Sequence, residues 1–463
     1  MNDHALTPAA AAGATSPAAP APAPAAPRNF SLQVAGTLAA RVLMAANSIL
    51  TGVVVARWLG AEGLGSLAVL NVTLAYAVQI GSLGLASANT YFVARDRSRL
   101  APAAANALAF GVFGGLALAL LTVALSVRAP QLFEGIASRV VGVAALAIPF
   151  QLVTLLGLNI FLAVGLVKRF NLLDALAQSL LPLNAVVALV ALGRSLPTLI
   201  ALNTAASVVV CAVVVWLVAR LVAAGGAASR PRRVDPALFA EMMRYGLKVH
   251  AQTVASLLLF RVDLLVVKYF RGAGEAGVYS VASQVALMLM LLPGVISTLL
   301  FPRIAAAGDD RGALACRVTR HAAFVMLLIC LAAVPAVFAL PLLYGEPFAD
   351  ATEQSLILLP GVFLVSVGGV LAQHFSGTGL PVALPLFWAG ALCLNAALNF
   401  ALVPALGARG AALSSSVSYA LVFALIALYF RARTGNSLRT AFLLRGSELR
   451  GLLSLRRFGN FTR

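Results

Sequence analysis

Arg41 and Arg261 lie deep inside long apolar runs of the chain, and Asp263 follows two residues after the second of them. A charged side chain at the centre of a bilayer costs about 2.5–3.5 kcal/mol on the insertion scale, so such groups face a cavity or a partner. Gln33, Thr37, Arg41 and Ser48 fall at i, i+4, i+8 and i+15, one stripe of a helix. Around Arg261 there are two polar faces: Lys248, Gln252, Ser256 and Asp263 share one, and His250 and Arg261 share the opposite one. Arg261 and Asp263 therefore point away from each other and do not neutralise one another along the helix. Three arrangements stay open on the residues alone. Arg41 and Asp263 bridge two helices, or Arg41 and Arg261 together offset an anion in a cavity, or the long cationic side chains snorkel to an interface. Lys248, His250, Gln252 and Asp263 are further candidates for the cavity or for ion coupling, His250 and Asp263 by taking up a proton.

The elements that hold these groups follow from composition. Of 463 residues, 61% are hydrophobic and only 10% charged, whereas a soluble domain carries about 25% charged residues to keep its surface wetted. Lipid must cover most of this surface. Apolar runs are expected at 32–56, 63–86, 102–127, 140–165, 174–193, 197–221, 246–268, 277–301, 319–343, 354–376, 382–402 and 409–430. Each suits a span of about 20 residues. The runs are continuous and lack the period-2 alternation of barrel strands. The expected fold class is all-α, a polytopic membrane protein of about twelve transmembrane helices.

The net charge of +18 is no nucleic-acid footprint, because the basic residues sit at the ends of apolar runs. With the amino terminus inside, 24 of the 33 Lys and Arg fall in inner segments and 7 in outer ones. That bias orients the chain with both termini in the cytoplasm. Only Arg41 and Arg261 are left inside spans.

The chain divides into an Ala/Pro-rich disordered tail (1–30), a first lobe of six spans (31–222), a linker (223–245), a second lobe of six spans (246–430) and a basic cytoplasmic tail (431–463). Within the linker, Asp235-Pro236 is a helix start, with Asp as cap and Pro in the first turn. The stretch to Tyr245 is expected to lie along the cytoplasmic interface, its basic residues near anionic headgroups. Val54 to Gly60 parallels Val266 to Gly272, and Gly65 parallels Gly277, a displacement of 212 residues. A parallel repeat about an axis along the membrane normal is implied.

Several chemistries are excluded. No GxxxxGK[ST] loop is present to hold a nucleotide phosphate. No HExxH or clustered metal-ligand spacing occurs, and no cofactor or metal is expected. Cys211, Cys316, Cys330 and Cys393 show no CxxC spacing and read as small apolar residues. A membrane glycosyltransferase or polymerase would need a large polar outer loop, and no outer loop exceeds about a dozen residues by the span lengths above.

Particular segments resemble a known family. Val54 to Gly65, Gly81-Ser82-Leu83-Gly84-Leu85-Ala86, Arg261-Val262-Asp263, Gly277-Val278-Tyr279-Ser280-Val281-Ala282, Leu300-Phe301-Pro302, Leu343 to Ala349 and Gly407 to Ala412 are similar to polysaccharide exporters and oligosaccharide-lipid flippases (Wzx-like) of the multidrug/oligosaccharidyl-lipid/polysaccharide exporter superfamily. The likeness runs from about residue 31 to 430. It implies two six-helix lobes in a V around a cavity with alternating access, and no enzyme. It also implies translocation of an undecaprenyl-pyrophosphate-linked oligosaccharide from the inner to the outer leaflet of the bacterial inner membrane. Cationic cavity residues then receive the anionic headgroup, and Arg41 and Arg261 are the positions able to do so. The implied partners are the lipid-linked oligosaccharide, membrane lipids and other polysaccharide-assembly proteins. The few cavity cations depart from the more basic cavities of lipid II flippases. A cation-coupled drug antiporter of the same superfamily is the alternative. It would want cavity acids, and Asp263 is the one intramembrane acid that the runs identify.

Overall fold

Hydrocarbon offers no hydrogen bonds to an amide, so an apolar run that enters it must satisfy its backbone internally, as a helix. In the computed structural model, residues 30–193, 195–224, 234–294, 296–297, 311–377 and 381–443 are described, and among them there is helix and no strand. The first half contains α1 (Phe30–Gly81), α2 (Leu85–Arg95), α3 (Leu100–Arg128), α4 (Pro130–Phe133), α5 (Ser138–Ala145), α6 (Ala147–Ala163), α7 (Val167–Ala185) and α8 (Leu196–Ala224). The second half contains α9 (Pro236–Leu289), α10 (Arg311–Val337), α11 (Leu340–Tyr344), α12 (Asp350–Gly377), α13 (Ala383–Leu406), α14 (Ala408–Thr434) and α15 (Leu438–Phe442). The expected tail before residue 30, the arginines at 230, 232 and 233, and the basic tail from 444 on lie outside the described residues.

Among the described residues, ten helical stretches are long and apolar enough to cross a membrane. Two of them, Ala39–Gly81 and Thr253–Gly294, run for 43 and 42 residues. At 1.5 Å per residue each is about 64 Å of helix, twice a hydrocarbon core of about 30 Å. Each breaks once, α1 at Gly60 (φ 69°, ψ −169°) and α9 at Gly272 (φ 88°, ψ −179°). Both torsion pairs lie where a Cβ is disfavoured, which is why glycine occupies them. The breaks fall between the first and second and between the seventh and eighth apolar runs. Each broken helix covers two of the apolar runs.

Two apolar cores form, one mainly in each half, the first also taking in second-half residues such as Val278 and Phe348. One is built from residues such as Leu70, Leu152, Phe161 and Leu199, the other from Leu259, Val362, Val422 and Phe430. Phe113, Leu120 and Leu331 are exposed, as expected of side chains that lipid covers. The halves meet mainly along α1 and α9. Ala61 and Gly65 of α1 face Gly277 and Ala273 of α9, so closely that a Cβ on Gly65 would fall on the Ala273 carbonyl and one on Gly277 on the Ala61 carbonyl. The two contacts are the same contact seen twice, each residue exchanged for the one 212 positions away. That reciprocity is the geometry of a two-fold repeat.

At this end, assigned to the outside by its few arginines, two cations reach across. Arg57 donates to the carbonyls of Leu342 and Leu343 (2.9 Å to the latter), and Lys268 donates to the Glu134 carbonyl at 2.8 Å. Lys268 is only 3% exposed, so its ammonium depends on that carbonyl. Each half thus caps an outer turn of the other.

The linker differs from its expectation. Asp235 does cap the helix, accepting from the Leu238 amide at 3.0 Å, and Pro236 is in the first turn. The helix then continues through Gly246 into the seventh span instead of lying apart on the interface. Its start is pinned by Asn106, which exchanges two 2.9 Å hydrogen bonds with the Asp235 backbone. A helix anchored at its first turn and lacking any internal breaker before Gly272 has no reason to bend at the membrane surface.

Opening the outer end must break the cross-caps. In a Cys393→Ser background, Ser48→Cys is expected to react slowly with an impermeant maleimide added outside. Adding Arg57→Ala and Lys268→Ala is expected to speed that labelling several-fold, and unchanged labelling would show that these cations do not hold the end shut.

Candidate functional site

Arg261 comes from the middle of α9 and lines a cavity of about 520 Å³. Most of the wall belongs to the first half. Asn71 and Tyr76 come from α1, Gln151 from α6, Asp174 and Gln178 from α7, and Asn203 from α8. A pocket so polar at membrane depth is lined by groups that lipid cannot satisfy. Ser207 and Thr154 add hydroxyls to the same wall.

Asp263, two residues along α9, turns into the second half and is 1% exposed. Its carboxylate accepts from the Tyr279 hydroxyl, from Ser415 Oγ at 2.8 Å and from its neighbouring amide of Leu264 at 2.8 Å. Asn395 of α13 donates in turn to Ser415 at 3.3 Å. The acid is therefore a node that joins α9 to α14 and, through Ser415, to α13. Charge-assisted bonds from hydroxyls are what make a buried carboxylate tolerable.

Arg41 does not meet Asp263. Its guanidinium lies 4.0 Å from Asp174 of α7, with both side chains partly exposed. The neighbours on the Arg41 stripe behave alike. Asn171 of α7 donates to Thr37 at 2.8 Å, and Asn47 donates to Ser179 of α7 at 2.9 Å. The stripe on the first span is thus matched by a stripe on the fifth, at 171, 174 and 179. Further out, Gln284 of α9 donates to Ser48 at 2.7 Å. The interhelical bridge expected for Arg41 exists with another partner, because α7 presents the nearer carboxylate.

Asp174 is the cavity-lining acid that the span-by-span reading passed over, and it corrects the statement that Asp263 is the one intramembrane acid. The signal was available. Asn171, Asp174 and Gln178 recur at three and four residues, one polar face in an apolar run. Arg41 and Arg261 are brought to the same region through it, Arg261 on the wall and Arg41 behind the Asp174 carboxylate. The remaining candidates are dispersed. His250 is 8% exposed and its Nε2 lies 3.0 Å from the Ile80 carbonyl, so that nitrogen carries the proton and ties α9 to the inner end of α1. The side chains of Lys248, Gln252 and Gln33 lie outside the described residues. Among the described residues no group of three metal-ligating side chains gathers.

Helices broken at matching glycines, paired about a two-fold, with a polar cavity between them, define a membrane transporter fold. A family model described as polysaccharide biosynthesis protein matches residues 30–307. That is more than half of the chain, and the chain belongs to this family. A search of curated proteins gives no match. Among solved structures, the lipid II flippase MurJ in an inward closed conformation is similar with a TM-score of 0.68 and 13% identity, over 89% of each chain. An inward-facing multidrug resistance MATE family transporter of the MOP superfamily is similar with a TM-score of 0.63 and 15% identity, over 86% of this chain and 98% of that one. A MOP superfamily transporter from Pyrococcus furiosus, described as having a binding pocket of reverse polarity, gives 0.61 and 15%, over 87% and 94%. At these identities the likeness is one of fold.

The Asp263 node makes a stability prediction. Asp263→Leu leaves the Tyr279 and Ser415 hydroxyls buried without their acceptor, at roughly 1–3 kcal/mol for each group left unpaired. Thermal unfolding of the purified variant in detergent is expected to fall by several degrees, with Asp263→Asn falling less. A variant as stable as the parent would remove the node from the account of the second half.

Proposed function

We propose that this chain carries a lipid-linked oligosaccharide, a sugar repeat on undecaprenyl pyrophosphate, from the inner to the outer leaflet of the bacterial inner membrane for a surface or secreted polysaccharide. The observation that carries the reading is Arg261, a basic residue deep within its apolar run, standing among polar cavity side chains where apolar ones would cost less. Membership of a polysaccharide biosynthesis family supports it. Arg261 takes the diphosphate through charge-assisted bonds. The amides of Asn71, Gln151, Gln178 and Asn203 suit the hydroxyls of the first sugars. Arg41 joins by exchanging Asp174 for the incoming anion. Alternate opening of the two ends then passes the headgroup across while the prenyl chain stays in lipid. With the interior negative, outward movement of an anion gains about 2.3 kcal/mol per charge per 100 mV. A protonatable Asp263 is the group placed to couple an ion to the packing of the second half. The work is translocation, without group transfer by this chain.

Asp174 favours a second reading, because a cavity carboxylate receives organic cations in a drug antiporter. Its guanidinium partner argues against that while Arg41 holds it.

Deleting the gene is expected to leave lipid-linked repeats on the inner leaflet and to abolish polymer at the surface. Arg261→Ala should lower export by about tenfold or more, the loss of one charge-assisted phosphate contact, with normal protein in the membrane. Arg261→Lys should keep part of it. Normal polymer together with changed drug tolerance would decide for the antiporter.

A further inference from the structure

A second polar hollow, of about 690 Å³, lies far from the cavity, at the inner end where α2 meets the start of α9. Its walls come from both halves. Tyr91 of α2 stacks on Tyr245 of α9 with ring centroids 4.4 Å apart and planes at 16°. Arg99 spans the joint, donating to Glu241 at 3.1 Å, and also lies 3.4 Å from Asp96 and over the ring of Phe92. Its charge is therefore matched. The other two cations are not. Arg95 donates only to the Tyr91 hydroxyl, at 3.0 Å, and neither Arg95 nor Arg244 has a carboxylate partner among the described residues. Two guanidinium groups on opposite walls, with an aromatic pair between them, form a receptor for a phosphate.

What bears that phosphate is indicated by the surroundings. The third span begins at Arg97, so the hollow sits at the edge of the apolar slab. Leu247, one turn beyond Arg244, is 48% exposed and apolar, offering hydrocarbon contact beside the cations. Stacked tyrosines at a membrane boundary suit the headgroup level. A soluble anion would have no use for that rim. We propose that this hollow binds the phosphate headgroup of an anionic bilayer lipid of the inner leaflet, held between Arg95 and Arg244 with its chains against Leu247. Because one cation comes from each half, the bound lipid fastens the inner joint. The proposal is independent of the cargo assigned to the central cavity.

The purified full-length protein in detergent micelles doped with phosphatidylcholine, with and without phosphatidylglycerol, tests it by thermal unfolding and by lipid retained in native mass spectrometry. Phosphatidylglycerol is expected to raise the melting temperature and to remain bound. Arg95→Ala with Arg244→Ala should weaken retention by about tenfold per arginine, one charge-assisted bond each. Arg95→Lys with Arg244→Lys should keep most of the retention and shows that the fold survives. Arg169→Ala with Arg431→Ala, elsewhere on the inner surface, should change nothing. Retention undiminished in the double alanine variant, loss equal in the Arg169 and Arg431 control, or the same stabilisation by millimolar inorganic phosphate or diphosphate without the lipid would each overturn the proposal.

Discussion

Everything in this molecule hangs on the crossing of α1 and α9 where Gly65 and Gly277 let two backbones touch. In a bilayer there is no hydrophobic gain from bringing helices together, since lipid tails are as apolar as leucine. Association must come from close packing and from polar bonds. The Ala61–Gly277 and Gly65–Ala273 contacts supply the first kind, because no side chain stands between the helices. They occur as a symmetric pair, so the same two residues of each half do the work of four. The breaks at Gly60 and Gly272 lie one and five residues before the contact residues of each half, which lets each long helix turn back immediately beside the crossing.

The crossing also decides which charged group can act. Because α9 lies against both halves, its two faces have different neighbours, and Arg261 and Asp263 are sorted by nothing more than their spacing. The arginine looks into a wall of amides that leaves it a cavity, while the acid is enclosed by Tyr279 and Ser415. An arginine with vacant space before it can receive a ligand. A carboxylate whose acceptors are filled by hydroxyls organises helices instead, and a change in its charge would be felt as a change in their packing.

The sequence made the all-α membrane fold and the repeat legible, because lipid imposes run length and the matching segments are local, while the breaks at Gly60 and Gly272 came to light only in their torsions. The pairing of Arg41 was not legible. A stripe on one helix shows that a partner exists, but the choice between Asp174 and Asp263 depends on which helix packs against the first span, a tertiary fact. His250 shows the same limit. On its helix face it has the look of a titrating group, and only its place beside the Ile80 carbonyl makes it a tie between helices. The extension of the linker into α9 was hidden because its two anchors, Asn106 and Asp235, are far apart in the chain.

The two ends of the crossing are built from different materials, and that difference bears on how the halves can rock. The outer end is closed by backbone contacts and by Arg57 and Lys268 capping carbonyls, interactions that are short and saturate. The inner end has its own backbone approach, Gly84 against Gly246, but around it stand a tyrosine stack and an exposed ion pair between Arg99 and Glu241. Exposed pairs of that kind contribute about 0–1 kcal/mol and give way to salt and to competing anions. A molecule joined at one end by backbone contacts and carbonyl caps, and at the other partly by an exchangeable ion pair, is expected to part first at the second. The joint with the ion pair is then the part that responds to charge at the membrane surface.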